Sequence, residues 1–208
     1  MSPRSTSKPM RHPAKPVKVS KKLVFEGRKF KVMIEEYEYG GTRFRVEKVE
    51  HPGAAVVVPL LEDGRVLYLE QFRPAVGEWV LELPAGTIAP GEDPRETAAR
   101  ELEEEVGYRA RILEKLGEVL PSPGYSSERI YAFLARGLER SQARREPHEI
   151  LVVRCAPLSR LIQMVYDNVI RDAKTIAALI LCWHKLGLKR LQDEHNTVTG
   201  HQQGCDDG

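Results

Sequence analysis

The segment from Asp93 to Gly107 constrains the fold more than any other part of the chain, because local chemistry fixes both of its ends. Asp93-Pro94-Arg95-Glu96 places an acidic cap, a proline at the first helical position and a glutamate at the third. That is the arrangement of a capping box. Gly107 stands where a left-handed residue closes a helix. A helix over Pro94 to Val106 follows, and its phase is known. At about 100° per residue, Glu104 lies about 60° to one side of Glu101 and Glu105 about 40° to the other. Three carboxylates therefore fan across one face, while Glu103, about 200° from Glu101, points elsewhere. Leu102 and Val106 mark the inner side. Like charges at this spacing each oppose the helix by about a few tenths of a kcal/mol, and hard, oxygen-seeking cations such as Mg²⁺ or Mn²⁺ relieve them. The competing reading is a solvated acidic face paired with Arg100 and neighbouring bases.

Around this helix the pattern is mostly strand. Phe30, Val32 and Ile34 alternate with polar residues, Gly40-Gly41 interrupts, and Phe44 and Val46 resume, which reads as a hairpin between Leu23 and His51. Ala54 to Leu61 is a continuous apolar run, followed by an Asp63-Gly64 turn and Val66 to Leu69, a buried strand pair. Further strands are expected near Val80–Leu83, Ala110–Val119, Arg129–Ala135 and Ile150–Cys155. Two more helices are expected over Leu158–Val169 and Asp172–Leu186, where apolar residues recur at three and four. Strands with one internal and two terminal helices suggest an α+β or α/β/α sandwich. The expected division is a basic disordered leader over 1–20, an N-terminal strand element over 21–52, a main domain over 53–191 and a polar tail over 192–208.

Composition removes several function classes. The net charge is +2, but residues 1–22 hold seven Lys or Arg and no acid, so the remainder, with 25 basic and 30 acidic residues, is acidic. An acidic body behind a basic leader is not the footprint of a dedicated nucleic-acid binder. The longest apolar run, Ile176 to Trp183, is eight residues, far short of a membrane span, and no apolar signal core follows the basic start. Cys155, Cys182 and Cys205 include no CxxC pair, so no cysteine zinc site is expected. A cytoplasmic protein is the expectation.

Gly86, five residues, Glu92, seven residues and then Arg100-Glu101-Leu102-x-Glu104-Glu105-x-Gly107 reproduces the Nudix box, with only Tyr108 departing from the usual small aliphatic residue. The flanking LEQFRPAVGEWVLELPAG (69–86), SPGYSSE (122–128) and IRDAKTIAALIL (170–181) resemble the ADP-ribose pyrophosphatase branch of that family, Pro123 marking it within the second segment. The resemblance implies a Nudix α/β/α sandwich with a mixed sheet, preceded by a small β element exchanged between the subunits of a homodimer. It implies two or three Mg²⁺ ions, with Mn²⁺ able to substitute, held by Glu101, Glu104, Glu105 and the Ala85 carbonyl. Arg100 would orient the glutamates, Glu92 would support them, and Gly86 and Gly107 would serve turns. Arg73 would contact phosphate and Glu128 the terminal ribose. Arg45, Glu47 and Phe30 would meet the adenine. Glu149 would be the catalytic base, with Glu146 next, Glu128 also open and His148 behind them.

The implied activity is hydrolysis of ADP-ribose to AMP and ribose 5-phosphate. Alternatives are another nucleoside diphosphate sugar such as a GDP-hexose, a dinucleotide, or a sensor that binds ADP-ribose without cleaving it. Attachment to RNA through residues 1–22 would require salt-sensitive binding that disappears with the leader. No membrane partner is expected.

Overall fold

The computed structural model describes residues 13–144 and 150–187. The start of the basic leader, the polar tail and the segment holding Glu146, His148 and Glu149 lie outside the described residues.

Three antiparallel strands open the chain, β1 (Val17–Glu26), β2 (Lys31–Tyr39) and β3 (Thr42–Glu50), in the order β1-β2-β3. The hairpin read around Gly40-Gly41 is β2–β3, and both glycines adopt positive φ, 58° and 80°, the geometry that a tight reversal demands. The third strand differs from expectation. Residues 17–20, assigned to a disordered leader, form the start of β1, with Val17 opposite Glu38 and Lys18 opposite Tyr37. The cross-strand partner supplies the order there, and one-sided propensity could not reveal it.

The body contains β4 (Ala54–Pro59), β5 (Arg65–Arg73), β6 (Glu78–Glu82), β7 (Ala85–Thr87), α1 (Pro94–Val106), β8 (Tyr108–Val119), β9 (Ile130–Arg140), β10 (Leu151–Pro157), α2 (Leu158–Tyr166) and α3 (Ala173–Lys185). One sheet runs β7-β4-β9-β8 and is mixed, since β4 and β9 are parallel while their outer neighbours are antiparallel. A second runs β10-β5-β6 and is antiparallel.

Every residue of β4 is buried, as befits a strand covered on both faces. Its alternation assigns the two layers. Ala55 and Val57 meet Ala98, Leu102 and Val106 of α1 together with Leu69, Phe133 and Ala135. Ala54, Val56 and Val58 meet Leu158, Leu161 and Ile162 of α2 and Ala178, Leu179 and Cys182 of α3. The result is the expected α/β/α sandwich, with α1 on one side and α2 and α3 on the other. The α2 helix stops three residues before Val169, where Asn168 takes φ 56°, a left-handed conformation that asparagine tolerates. Among the described residues no helix is long and apolar enough to cross a membrane.

Candidate active site

The capped helix forms as its sequence dictates. The Asp93 side chain accepts the Arg95 amide at 2.8 Å, and Glu96 accepts the Asp93 amide at 3.0 Å. Gly107 closes the helix at φ 72°. Because β7 lies beside β4 and α1 packs across both, the carboxylate face of the helix looks onto the backbone of Ala85 and Gly86.

Arg100 organises that face. Its Nη1 donates to Glu101 Oε1 at 2.7 Å and to Glu104 Oε2 at 3.0 Å, while Nε and Nη2 grip Glu92 at 2.9 and 3.1 Å. One guanidinium thus holds three carboxylates, as its fork of donors permits. Glu92 also accepts from Thr97 Oγ1 at 2.8 Å and the Ala89 amide at 3.0 Å. The Arg100 hydrogen bonds dominate in pulling the Glu92 carboxyl down to about 2, and Glu92 in turn leads in raising Arg100. Glu105, 2% exposed, accepts the Ala85 amide at 3.0 Å. Glu103 points away as its phase requires, pairing with Arg109 and Ser141, both at 2.7 Å.

Gly86 does not serve a turn, contrary to expectation. It lies in β7 opposite Ala55, and a Cβ there would stand 1.8 Å from Glu101 Oε1. The missing side chain makes room for the Glu101 carboxylate. Gly107 is the true turn glycine of the pair.

These groups border a cleft of about 870 Å³. Glu101, Glu104 and Glu105 form one wall, and Arg73, Glu128 and Lys174 also line it. Arg73 is gripped from behind: Nε and Nη2 donate to the two oxygens of Glu82 at 2.7 and 2.8 Å. Glu82 is 2% exposed and also pairs with Lys174. Burial pushes the Glu82 carboxyl up, but hydrogen bonds from Arg73 and the charge of Lys174 outweigh it and the net direction is down. The Glu82 hydrogen bonds raise Arg73, with the charge of Glu105 adding to them. Lys174 sits in the first turn of α3, where the helix dipole disfavours a cation, and Asp172, the N-cap, compensates at 3.0 Å.

The other expected residues divide. Glu128 reaches the cleft through a loop bound to the end of β3: the Val49 amide donates to the Tyr125 carbonyl at 2.7 Å and the Ser127 amide to the Val49 carbonyl at 2.9 Å. Pro123 belongs to that loop, and its neighbour Pro121 lines the cleft. Arg45 and Glu47, exposed on β3, and Phe30, exposed in the β1–β2 connection, do not line the cleft of their own chain. Arg28 and Lys29, in the β1–β2 connection, do. Sequence reasoning missed these two, as well as Glu82, Lys174 and Gln71. Only Gln71 left a trace, a polar residue breaking an apolar alternation.

The residues present fit a divalent cation by donor chemistry. Three carboxylates and a neighbouring backbone are hard oxygen donors, and the Arg100 guanidinium already supplies positive charge between two of them. As they stand, no three acidic, His or Cys side chains among the described residues are gathered tightly enough to enclose an ion. Arg100, on Glu101 and Glu104, and the Ala85 amide, on Glu105, are donors with which a cation would share these carboxylates.

A capped glutamate helix laid over a mixed sheet, sharing one cleft with an anchored guanidinium, defines a class. The NUDIX domain matches residues 50–179, and the chain belongs to the Nudix hydrolases. It is 34% identical over 164 residues to an ADP-ribose pyrophosphatase of Bacillus subtilis (strain 168), covering 77% of this chain and 89% of that one. It is also 34% identical over 159 residues to a methanol dehydrogenase activator of Bacillus methanolicus, covering 75% and 86%. A crystal structure of an ADP compounds hydrolase superposes with a TM-score of 0.75 at 26% identity, covering 86% of this chain and 97% of the other.

Proposed function

We propose that the protein hydrolyses the diphosphate bond of ADP-ribose, giving AMP and ribose 5-phosphate, in a Mg²⁺-dependent reaction in which Mn²⁺ can substitute. The observation that carries this reading is the presence, in the lining of one cleft, of Glu101, Glu104 and Glu105 together with the Glu82-anchored Arg73. Glu101, Glu104, Glu105 and the Ala85 carbonyl would hold two or three cations. When bound, these would neutralise phosphate charge and lower the pKa of a bound water. Arg100 keeps the carboxylates apart and aimed. Arg73 presents the unused side of its fork to the diphosphate, and being fixed by Glu82 it loses little freedom on doing so. Glu128 takes the terminal ribose.

Glu149 is proposed as the base that takes a proton from water. In support, the chain leading to it is tied to the glutamate helix, the Arg144 amide donating to the Glu104 carbonyl at 3.1 Å. The active unit is proposed to be a cytoplasmic homodimer. Its exchanged N-terminal sheets would bring Phe30, Arg45 and Glu47 to the adenine of the neighbouring site. Support comes from Leu23, Val24, Phe25, Phe30 and Phe44, large apolar side chains left exposed on that sheet.

The test is chromatographic analysis of products from ADP-ribose and a panel of nucleoside diphosphate sugars, with Glu105→Gln as control. Preference for ADP-ribose with AMP released, and little turnover in the variant, is the expected result. Preference for another panel member overturns the substrate, and binding of ADP-ribose without cleavage overturns the reaction.

A further inference from the structure

The core-facing side of β5 reads Leu67, Leu69, Gln71, Arg73. Leu67 and Leu69 are buried apolar residues, and Leu69 packs beneath α1. Arg73 is anchored on Glu82. Gln71 sits between them in the central strand of its sheet, its backbone opposite Leu151 on one side and Val80 on the other. Its side chain is only 6% exposed, and its Oε1 is buried with no hydrogen-bond partner among the described residues. It also lines the cleft, together with Ala85, Glu101 and Glu105.

Such a group is costly. A buried carbonyl oxygen deprived of water and given no donor is destabilising, and native proteins retain few of them without a reason. Leucine at this position would extend the apolar face of the strand. Nothing in the packing of β5 requires a carboxamide there, and the groups with which it shares the cleft are those that would handle a diphosphate.

We propose that Gln71 is a ligand-binding residue whose Oε1 accepts a hydrogen bond from an O–H donor brought into the cleft. The donor is either a water carried on a divalent cation at the glutamate wall or a hydroxyl of the sugar. Mg²⁺ keeps several of its waters when bound by few carboxylates, and those waters need acceptors. The inference rests on the cation and substrate reading given above.

Gln71→Met replaces the carboxamide with an unbranched apolar chain of similar length. The cation-free variant is expected to melt at the same temperature as the parent or about 2–4 °C higher, because the orphaned oxygen is gone. Its binding is expected to weaken by about three- to tenfold, the worth of one hydrogen bond. Two titrations separate the sources. Mn²⁺ binding without nucleotide, followed by the resonance of the free ion, falls if the donor is a cation-bound water. Binding of a methylene-bridged ADP-ribose analogue falls alone if the donor is a sugar hydroxyl. A variant that melts lower, or does not fold, overturns the proposal, since Gln71 would then be a structural residue. A variant that is stable and binds both ligands like the parent also overturns it. Failure of the parent to bind either ligand would instead overturn the reading on which it rests.

Discussion

The N-terminal sheet and the sandwich body treat apolar surface in opposite ways. In the body, β4 is buried over its whole length and its side chains are shared between two helical layers. In the N-terminal sheet every residue of β1 is exposed, and Met33 is the one deeply buried apolar residue. The body collects its carboxylates on a cleft wall under the control of Arg100. The sheet buries one carboxylate, Glu35, 1% exposed, beneath Lys18 at 2.8 Å and Tyr37 at 2.6 Å, with Lys48 at 3.5 Å. The lesson is a division of labour. The body is a finished core that positions chemistry, whereas the sheet is held together by strand pairing and ion pairs, and its apolar side chains face outward.

Substitutions that distinguish the two regions should differ in kind as well as in size. Gly86→Ala puts a methyl group into the space of the Glu101 carboxylate, so kcat/KM for the proposed substrate, ADP-ribose, should fall at least about 100-fold, equivalent to a few kcal/mol of lost transition-state stabilisation. Steady-state kinetics beside a melting curve checks this; activity close to that of the parent would show that Glu101 can act from elsewhere.

Arg100→Met leaves Glu92, Glu101 and Glu104 without their common cation. Losing a group that orients ligands costs about 10- to 100-fold in metal affinity or activity, which a Mn²⁺ titration measures directly. Unchanged affinity would mean that the helix backbone alone aims the carboxylates.

If the proposed dimer forms through the sheet, Phe25→Lys should leave the body's melting transition in place while shifting the sedimentation coefficient from dimer to monomer and raising KM. A dimer that survives the change would place the contact elsewhere.

The smallest expected effect concerns Glu35. Burial pushes its carboxyl up, but hydrogen bonds from Lys18 and Tyr37 and the charge of Lys48 prevail, taking it from 4.5 to about 2. Between those values the unfolded chain binds more protons, so the stability contributed by this group is complete above about 4.5 and is lost as pH falls through about 2. Melting temperatures of the parent should therefore drop more steeply than those of Glu35→Gln from pH 5 to pH 2. Parallel curves would show that the Glu35 contacts do not form in solution.

Much of the glutamate helix was legible because its determinants are local. Asp93, Pro94, Glu96 and Gly107 fix its ends within a few residues, and the helical period then places Glu101, Glu104 and Glu105 on one face and turns Glu103 away. The continuous apolar run of β4 likewise announced a strand buried on both sides. Other features could not be read so, because they exist only when distant segments meet. The Ala85 amide reaches Glu105 across 20 residues, and Lys174 reaches Glu82 across 92. The Cβ of residue 86 is excluded by a carboxylate on a different element. The first residues of β1 are ordered by β2, and Gln71 is an orphan only because the layers around it have closed. Periodicity and capping depend on neighbours along the chain and are written there. Partnership, burial and the room left for a side chain depend on how the layers stack, and that is settled by the packed sandwich.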